Sequence, residues 1–142
     1  MQLAPTLCAQ PKMKLKTIIV IDDDLDDLDI MSDVIATVEP ESNCITFKDP
    51  QTAVGELLSN QHLLPDYIFI DYNMPLMRGD ECLEKLRQCQ RLSDAIIVMI
   101  STSMPEITTS KLYDAGANYA VEKPSRLSNY YTLFKSIFRN HR

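Results

Sequence analysis

Three places along the chain set oxygen-bearing side chains directly after apolar runs. Asp22, Asp23 and Asp24 follow Thr17–Ile21, Asp71 follows Tyr67–Ile70, and Ser101, Thr102 and Ser103 follow Ala95–Ile100. Carboxylates gathered in one place repel one another unless a cation lies among them, and hard oxygen donors of this kind suit Mg²⁺, which keeps several of its waters. The acidic triplet also has a blander reading as the start of a helix, because acidic residues favour a helix N-terminus. Asp71 has no such capping role to fill, since residues 73–79 read as a loop. It tips the balance toward a metal-dependent site.

For these groups to meet, the apolar runs must be parallel strands whose carboxyl ends share one rim, where open α/β sheets bind their ligands. The chain alternates apolar runs with amphipathic stretches, the order that a βαβ series produces. Strands are predicted over residues 17–21, 44–47, 66–71, 95–100 and 119–121, and helices over 24–39, 51–60, 80–89, 104–115 and 125–140. The first run is β-branched and apolar on both faces, as a central strand must be, whereas Cys44–Phe47 alternates in polarity and suits a sheet edge. Leu28, Met31, Ile35 and Val38 recur at helical spacing with acidic residues opposite, and Pro40 stops that helix. Gly79 stands just ahead of the third helix as a loop or cap residue. Pro105 and a run of threonines weaken the fourth helix, which ends at Gly116.

Bulk properties narrow the function. At 142 residues the chain has the size of one domain, and its 45% apolar and 24% charged residues are ordinary for a globular fold. A net charge of −6 disfavours contact with a phosphate backbone, so no nucleic acid is expected as a partner. No run approaches the roughly 18–20 apolar residues of a membrane span, so no membrane contact is expected either. The four cysteines form no CxxC pair, and His62 is the one histidine expected within the folded region, so zinc is not expected. Cys82 and Cys89 read as packing residues in a reducing cytosol, and the chain is expected in the cytoplasm. Residues 1–15 read as a flexible leader before a domain over 16–142.

Four blocks carry a resemblance. Val20-Ile-Asp-Asp-Asp24, Ile70-Asp-Tyr-Asn-Met-Pro-Leu-Met-Arg-Gly79, Met99-Ile-Ser-Thr102, and Gly116-Ala-Asn118 followed by Lys123-Pro124 come in the order and at the intervals of a response-regulator receiver domain of two-component signalling. The chain resembles that family over about residues 15–140, as a free-standing single-domain type. The resemblance implies an α/β fold: a flavodoxin-like (βα)5 arrangement with a five-stranded parallel sheet and helices on both faces. Asp71 is then the phosphoacceptor, esterified by a phosphoryl group from a phosphohistidine. Asp22, Asp23, Asp71 and the backbone carbonyl of Asn73 hold Mg²⁺, with Asp22 acting mostly through water. Ser101 hydrogen-bonds the acyl phosphate, and Lys123 pairs with a phosphoryl oxygen, its bond to Pro124 being cis as is typical of the family. The chemistry agrees, because phosphoryl transfer needs an in-line nucleophile and neutralising cations, and an ionised carboxylate needs no general base.

The same resemblance implies a histidine kinase or a histidine phosphotransfer protein upstream and an unknown protein target downstream, with a homodimer as a further possibility. Output passes by protein contact, Tyr130, Tyr131 and Phe134 being candidates near the docking face although their helical spacing favours the core for some of them, and the weak fourth helix is expected to shift with the fifth strand and helix. The chain departs from the family where Ala120 replaces a mobile aromatic, with Tyr119 one residue early on the opposite strand face. Thr102 stands where a smaller residue is common and narrows access. Two rivals remain. A Mg²⁺-dependent phosphohydrolase of the haloacid-dehalogenase type wants a second aspartate where this chain has Asn73, so the chain is not expected to be an enzyme beyond its own phosphorylation and dephosphorylation. A receiver-like interaction module that never takes phosphate is opposed by the complete set of acidic, hydroxyl and lysine positions.

Overall fold

The computed structural model describes residues 15–141. Its elements, in chain order, are β1 (Lys16–Ile21), α1 (Leu25–Val38), β2 (Ser42–Phe47), α2 (Pro50–Ser59), β3 (Tyr67–Asp71), α3 (Gly79–Arg87), a 3-10 turn (Gln90–Leu92), β4 (Ile96–Ser101), α4 (Glu106–Asp114), β5 (Tyr119–Glu122) and α5 (Leu127–Arg139). The expected leader, residues 1–15, lies outside the described residues except for Leu15.

All strand pairings are parallel, in the order β2-β1-β3-β4-β5. This is the flavodoxin-like order, and the chain reverses direction across the sheet between β1 and β3. β2 is an edge strand, as its alternation predicts, and β3 is buried along its whole length. Because strand side chains alternate, Ile18 and Val20 pack with Tyr67 and Phe69 beneath α1 and α5, while Ile19 and Ile21 pack with Ile68 and Ile70 beneath α2, α3 and α4. Two separate cores therefore sandwich one sheet. The α5 side is aromatic, with Phe69 stacked on Phe134 at 4.7 Å between centroids and Tyr67 edge-on to Phe138 at 4.8 Å.

Helix ends explain the strand-to-helix turns. Asp24 caps α1, its carboxylate accepting hydrogen bonds from the backbone N–H groups of Asp26 (2.9 Å) and Asp27 (3.3 Å). The capping reading of the acidic triplet thus holds for its third member. Asp49 caps α2 in the same way, with Pro50 in the first turn. At the far end of α4, Gly116 adopts φ 109°, and the bonds Ala117 N–H to Leu112 C=O and Gly116 N–H to Tyr113 C=O close a Schellman motif. Arg87 reinforces that corner by donating to the carbonyls of Gly116 (2.9 Å) and Ala95 (2.9 Å) and to Asn118 Oδ1 (2.8 Å). Among the described residues of α4, Leu112 alone is buried.

Gly79 begins α3 rather than preceding it. A Cβ there would lie 2.5 Å from the Asp71 carbonyl oxygen and 2.7 Å from Tyr72 Cα, so only glycine lets the helix start against the end of β3.

Candidate functional site at the carboxyl ends of the strands

The parallel registers bring the chemistry to one rim. Asp71 ends β3 and pairs with Ile100, Ser101 ends β4 and pairs with Glu122, and the Lys123 N–H donates to the Ser101 carbonyl at 2.7 Å. Asp22 follows β1, tied through its N–H to the Phe47 carbonyl at 3.1 Å. Carboxylate oxygens of Asp22, Asp23 and Asp71 all lie within 4.8 Å of one another. Asp22 is fully buried and Asp71 is 5% exposed, while Asp23 faces solvent. They flank the point where the strand order reverses, the place an open α/β sheet offers to a ligand.

Lys123 is the cation of the cluster. Its ammonium stands 2.8 Å from Asp22 Oδ2, 2.7 Å from Asp27 Oδ2 and 3.2 Å from Asp71 Oδ1, with the side chain only 7% exposed. Burial alone would lower its pKa, but the hydrogen bonds to Asp22 and Asp27, and then the charges of Asp22 and Asp71, hold it above an ordinary lysine. One ammonium cannot balance this many carboxylates. Burial first, and then the charge of Asp22, push the Asp71 carboxyl up to about 6, against the opposing pull of Lys123. Burial likewise raises Asp22, against hydrogen bonds from Lys123 and the Asp24 N–H. The Lys123 contact to Asp22 Oδ2 is an ion pair set off the line of a well-aligned hydrogen bond, and that oxygen keeps unmet acceptor capacity.

Ser101 is fully buried. Its hydroxyl oxygen accepts from Asn73 Nδ2 at 3.0 Å and from the Ser103 N–H at 3.4 Å, so the loops after β3 and β4 are joined across the rim. A second tie joins β4 to β5, as Glu122 Oε1 accepts from the Met104 N–H at 3.2 Å.

Residues 18–135 match the family described as the response regulator receiver domain. The chain belongs to that family. This receiver domain is 24% identical over 126 residues to stress response regulator protein 1 of Candida tropicalis, an alignment covering 89% of this chain and 47% of that protein. It is 32% identical over 114 residues to hybrid signal transduction histidine kinase C of Dictyostelium discoideum, covering 75% of this chain and 9% of that protein. The chain spans about half or less of the length of these curated relatives. Among solved structures it resembles the phosphorylated cyanobacterial phytochrome response regulator RcpA, with a TM-score of 0.77 and 25% identity, over 87% of this chain and 91% of that one.

Within the receiver domain, Asp22, Asp23, Asp71 and Lys123 come together as their order in the sequence implied, and Ser101 and Asn73 join each other. Several expectations are corrected. Lys123–Pro124 is not cis, since the described residues contain no cis peptide bond, and X–Pro bonds in general favour trans by about 0.5–1 kcal/mol. Of the three docking-face candidates, Tyr130 and Phe134 take the core places that their helical spacing favoured, because α5 presents them to the sheet. His141 belongs to the fold as well as His62, its Nε2 lying 2.9 Å from the Tyr119 hydroxyl. Ala120 and Tyr119 do face opposite cores, and the Tyr113 hydroxyl, reaching in from α4, accepts from the Ala120 N–H at 3.2 Å.

Asp27 is the residue that sequence reasoning missed. It was grouped with the acidic, solvent-facing side of α1, but the Asp24 cap sets the first turn so that Asp27 points back at Lys123. Its place three residues after an N-cap was the available signal, because a side chain at that position leans back toward the helix N-terminus.

Proposed function

We propose that this receiver domain is the phosphoacceptor of a two-component phosphorelay, with Asp71 as the residue esterified. The observation that carries the reading is the position of Asp71: a buried carboxylate at the strand reversal, 3.2 Å from an ammonium and among two further carboxylates. A carboxylate oxygen of Asp71 attacks the phosphorus of a phosphohistidine. The P–N bond breaks, the imidazole nitrogen leaves with the electron pair and is protonated, and an acyl phosphate forms. At neutral pH a carboxyl of pKa about 6 is already mostly ionised, so no base is required. Lys123 places positive charge beside the phosphoryl oxygens, as electrostatic preorganisation requires.

The donor set fits a hard divalent cation. Three carboxylates share one ammonium, burial raises the Asp71 and Asp22 carboxyls with the charge of Asp22 adding to the rise at Asp71, and all donors are oxygen. Asp22, Asp23, Asp71 and the Asn73 carbonyl would hold Mg²⁺, which when bound supplies charge neutralisation at the transferring phosphoryl group. Asn73 has no acidic proton to give and its amide is committed to Ser101, so turnover of an outside phosphate ester is not expected.

The signal follows from Ser101. A phosphoryl group on Asp71 adds negative charge and acceptor oxygens, drawing the Ser101 hydroxyl from Asn73. The loop from Ser101 to Met104 moves with it, and α4, held by little else, follows together with β5 and α5. The partners proposed are a histidine kinase or histidine phosphotransfer protein upstream and a protein target, or a second copy of this chain, downstream. No helix among the described residues is long and apolar enough to cross a membrane, and we place the chain in the cytoplasm on the free thiols of Cys44, Cys82 and Cys89. Mass spectrometry after incubation with acetyl phosphate and Mg²⁺ tests the reading. One phosphoryl group is expected on the wild type, none on Asp71→Asn, and stable label on that variant would refute the assignment.

A further inference from the structure

We propose that Asp27 is a positioning residue for phosphoryl transfer, fixing the Lys123 ammonium so that its one remaining N–H is aimed at Asp71. The inference rests on the phosphoacceptor reading and adds a residue to it.

An ammonium has three N–H donors and no acceptor, on a flexible stem of four carbons. Here three carboxylates surround the ammonium, of which Asp27 accepts a hydrogen bond while Asp22 and Asp71 are ion-paired to it. Asp27 at 2.7 Å and Asp22 at 2.8 Å make the shorter contacts, and Asp71 at 3.2 Å makes the longest. The two shorter partners stand on separate supports: Asp22 is tied to the end of β1 and to the Phe47 carbonyl, and Asp27 sits in the capped first turn of α1. Two anchors from different elements fix the direction of the third donor. That direction is the one the reaction uses, because esterification removes charge from Asp71 and places anionic phosphoryl oxygens beside it. The donor on Asp71 can pass to a phosphoryl oxygen without Lys123 leaving either anchor.

Asp27 is not one of the three carboxylates that group as metal ligands, so its charge is not needed by a cation. Its side chain is 23% exposed, against 0% for Asp22, which places it on the outer side of the ammonium. With Asp22 alone, Lys123 would be held from one side and its ammonium free to swing toward solvent. Misplacement by about 1 Å of a group that stabilises a transition state can cost up to 10²-fold in rate.

A competing effect has the opposite sign. Asp27 also adds negative charge near an anionic phosphodonor, and if that repulsion dominated, removing the charge would speed labelling. The same variant therefore discriminates. Self-phosphorylation of the full chain by acetyl phosphate is measured at saturating Mg²⁺ for the wild type, Asp27→Asn and Asp27→Ala, alone and combined with Lys123→Ala. Positioning predicts at least tenfold slower labelling in both single variants, a Mg²⁺ half-saturation within about threefold of wild type, and no further loss from Asp27→Ala once Lys123 is gone. Labelling that is unchanged or faster in Asp27→Asn, or a loss that persists in the Lys123→Ala background, overturns the proposal. Should Asp27→Ala fail to fold, the isosteric Asn variant decides.

A second readout needs no turnover. The ¹⁵N-detected signal of a lysine ammonium held in ion pairs is protected from solvent exchange, and it should be visible for Lys123 in the wild type and lost in Asp27→Asn. Its persistence in the variant would overturn the anchoring. A wild type that takes no label while this signal behaves as expected would instead remove the phosphoacceptor reading.

Discussion

Asp71→Asn should make the metal-free protein more stable at neutral pH, even though it deletes the group on which the proposed chemistry turns. Burial and the charge of Asp22 raise the Asp71 carboxyl from its ordinary 3.8 to about 6. A folded-state pKa above the unfolded one means that the native protein holds the proton more tightly. Stability is then lost as pH rises through the window from about 4 to about 6, and above it the full cost of the buried charge is present. At roughly 1.4 kcal/mol per unit, the interval caps that cost at about 3 kcal/mol. Losing the 3.2 Å contact to Lys123 offsets part of the gain, but the ammonium keeps its two shorter partners. The net gain expected at pH 7.5 is about 1–2 kcal/mol, or roughly 3–8 °C in melting temperature for a domain of this size. Thermal and urea unfolding followed by circular dichroism, in EDTA at pH 7.5 and 4.5, read it directly. By pH 4.5 the advantage should shrink to about a third, because the native carboxyl is then protonated and only the unfolded one still ionises. A variant no more stable than wild type at pH 7.5, or one with the same advantage at both pH values, would refute the claim that an underneutralised buried carboxylate strains this site.

Two further outcomes test the cluster and its frame. Mg²⁺ at about a hundredfold over its dissociation constant should stabilise the wild type by about 2.7 kcal/mol, and Asp23→Asn, altering an exposed ligand, should abolish most of that response in the same melts; an undiminished response would exclude the cluster as the ion's site. Gly79→Ala forces a Cβ to within 2.5 Å of the Asp71 carbonyl oxygen, so it should cost about 2 kcal/mol and slow labelling with acetyl phosphate. Gly55→Ala, in open space on α2, should gain up to about 1 kcal/mol and label normally, and similar behaviour of the two variants would remove close approach as the reason for glycine at 79.

The sheet was legible because its signals are local and repeated. Ile18 to Ile21 can serve only a strand covered on both faces, and the alternation of Cys44 to Phe47 marked the edge. Strand-end carboxylates could be placed on one rim because parallel topology leaves them nowhere else. What escaped depended on angles that spacing does not carry. Asp27 looks like any acidic residue of a solvated helix face until the Asp24 cap fixes the phase of the first turn. Tyr130 and Phe134 have the spacing of either a core or a docking stripe, and only the packing of α5 on Phe69 decides between them. His141 lies past the last periodic residue, and nothing in the sequence announces its pairing with Tyr119. The turn Gln90–Leu92 is too short to show a period at all.

The shallow seating of α4 has an energetic corollary. One buried leucine contributes about 1.5–3 kcal/mol, and the contacts Met104–Glu122 and Ala120–Tyr113 add about 1 kcal/mol each. Gly116, meanwhile, is stapled by Arg87, and Leu112 and Tyr113 stand in the last turn beside it, so the helix is a leaf hinged at its C-terminal end and held at the other by Met104 and Glu122. Reversing a populated state from 1:99 to 99:1 takes about 5.5 kcal/mol, slightly more than the roughly 3.5–5 kcal/mol by which these contacts seat the whole helix. A partner that prefers the swung-out leaf thus needs no large interface to capture it.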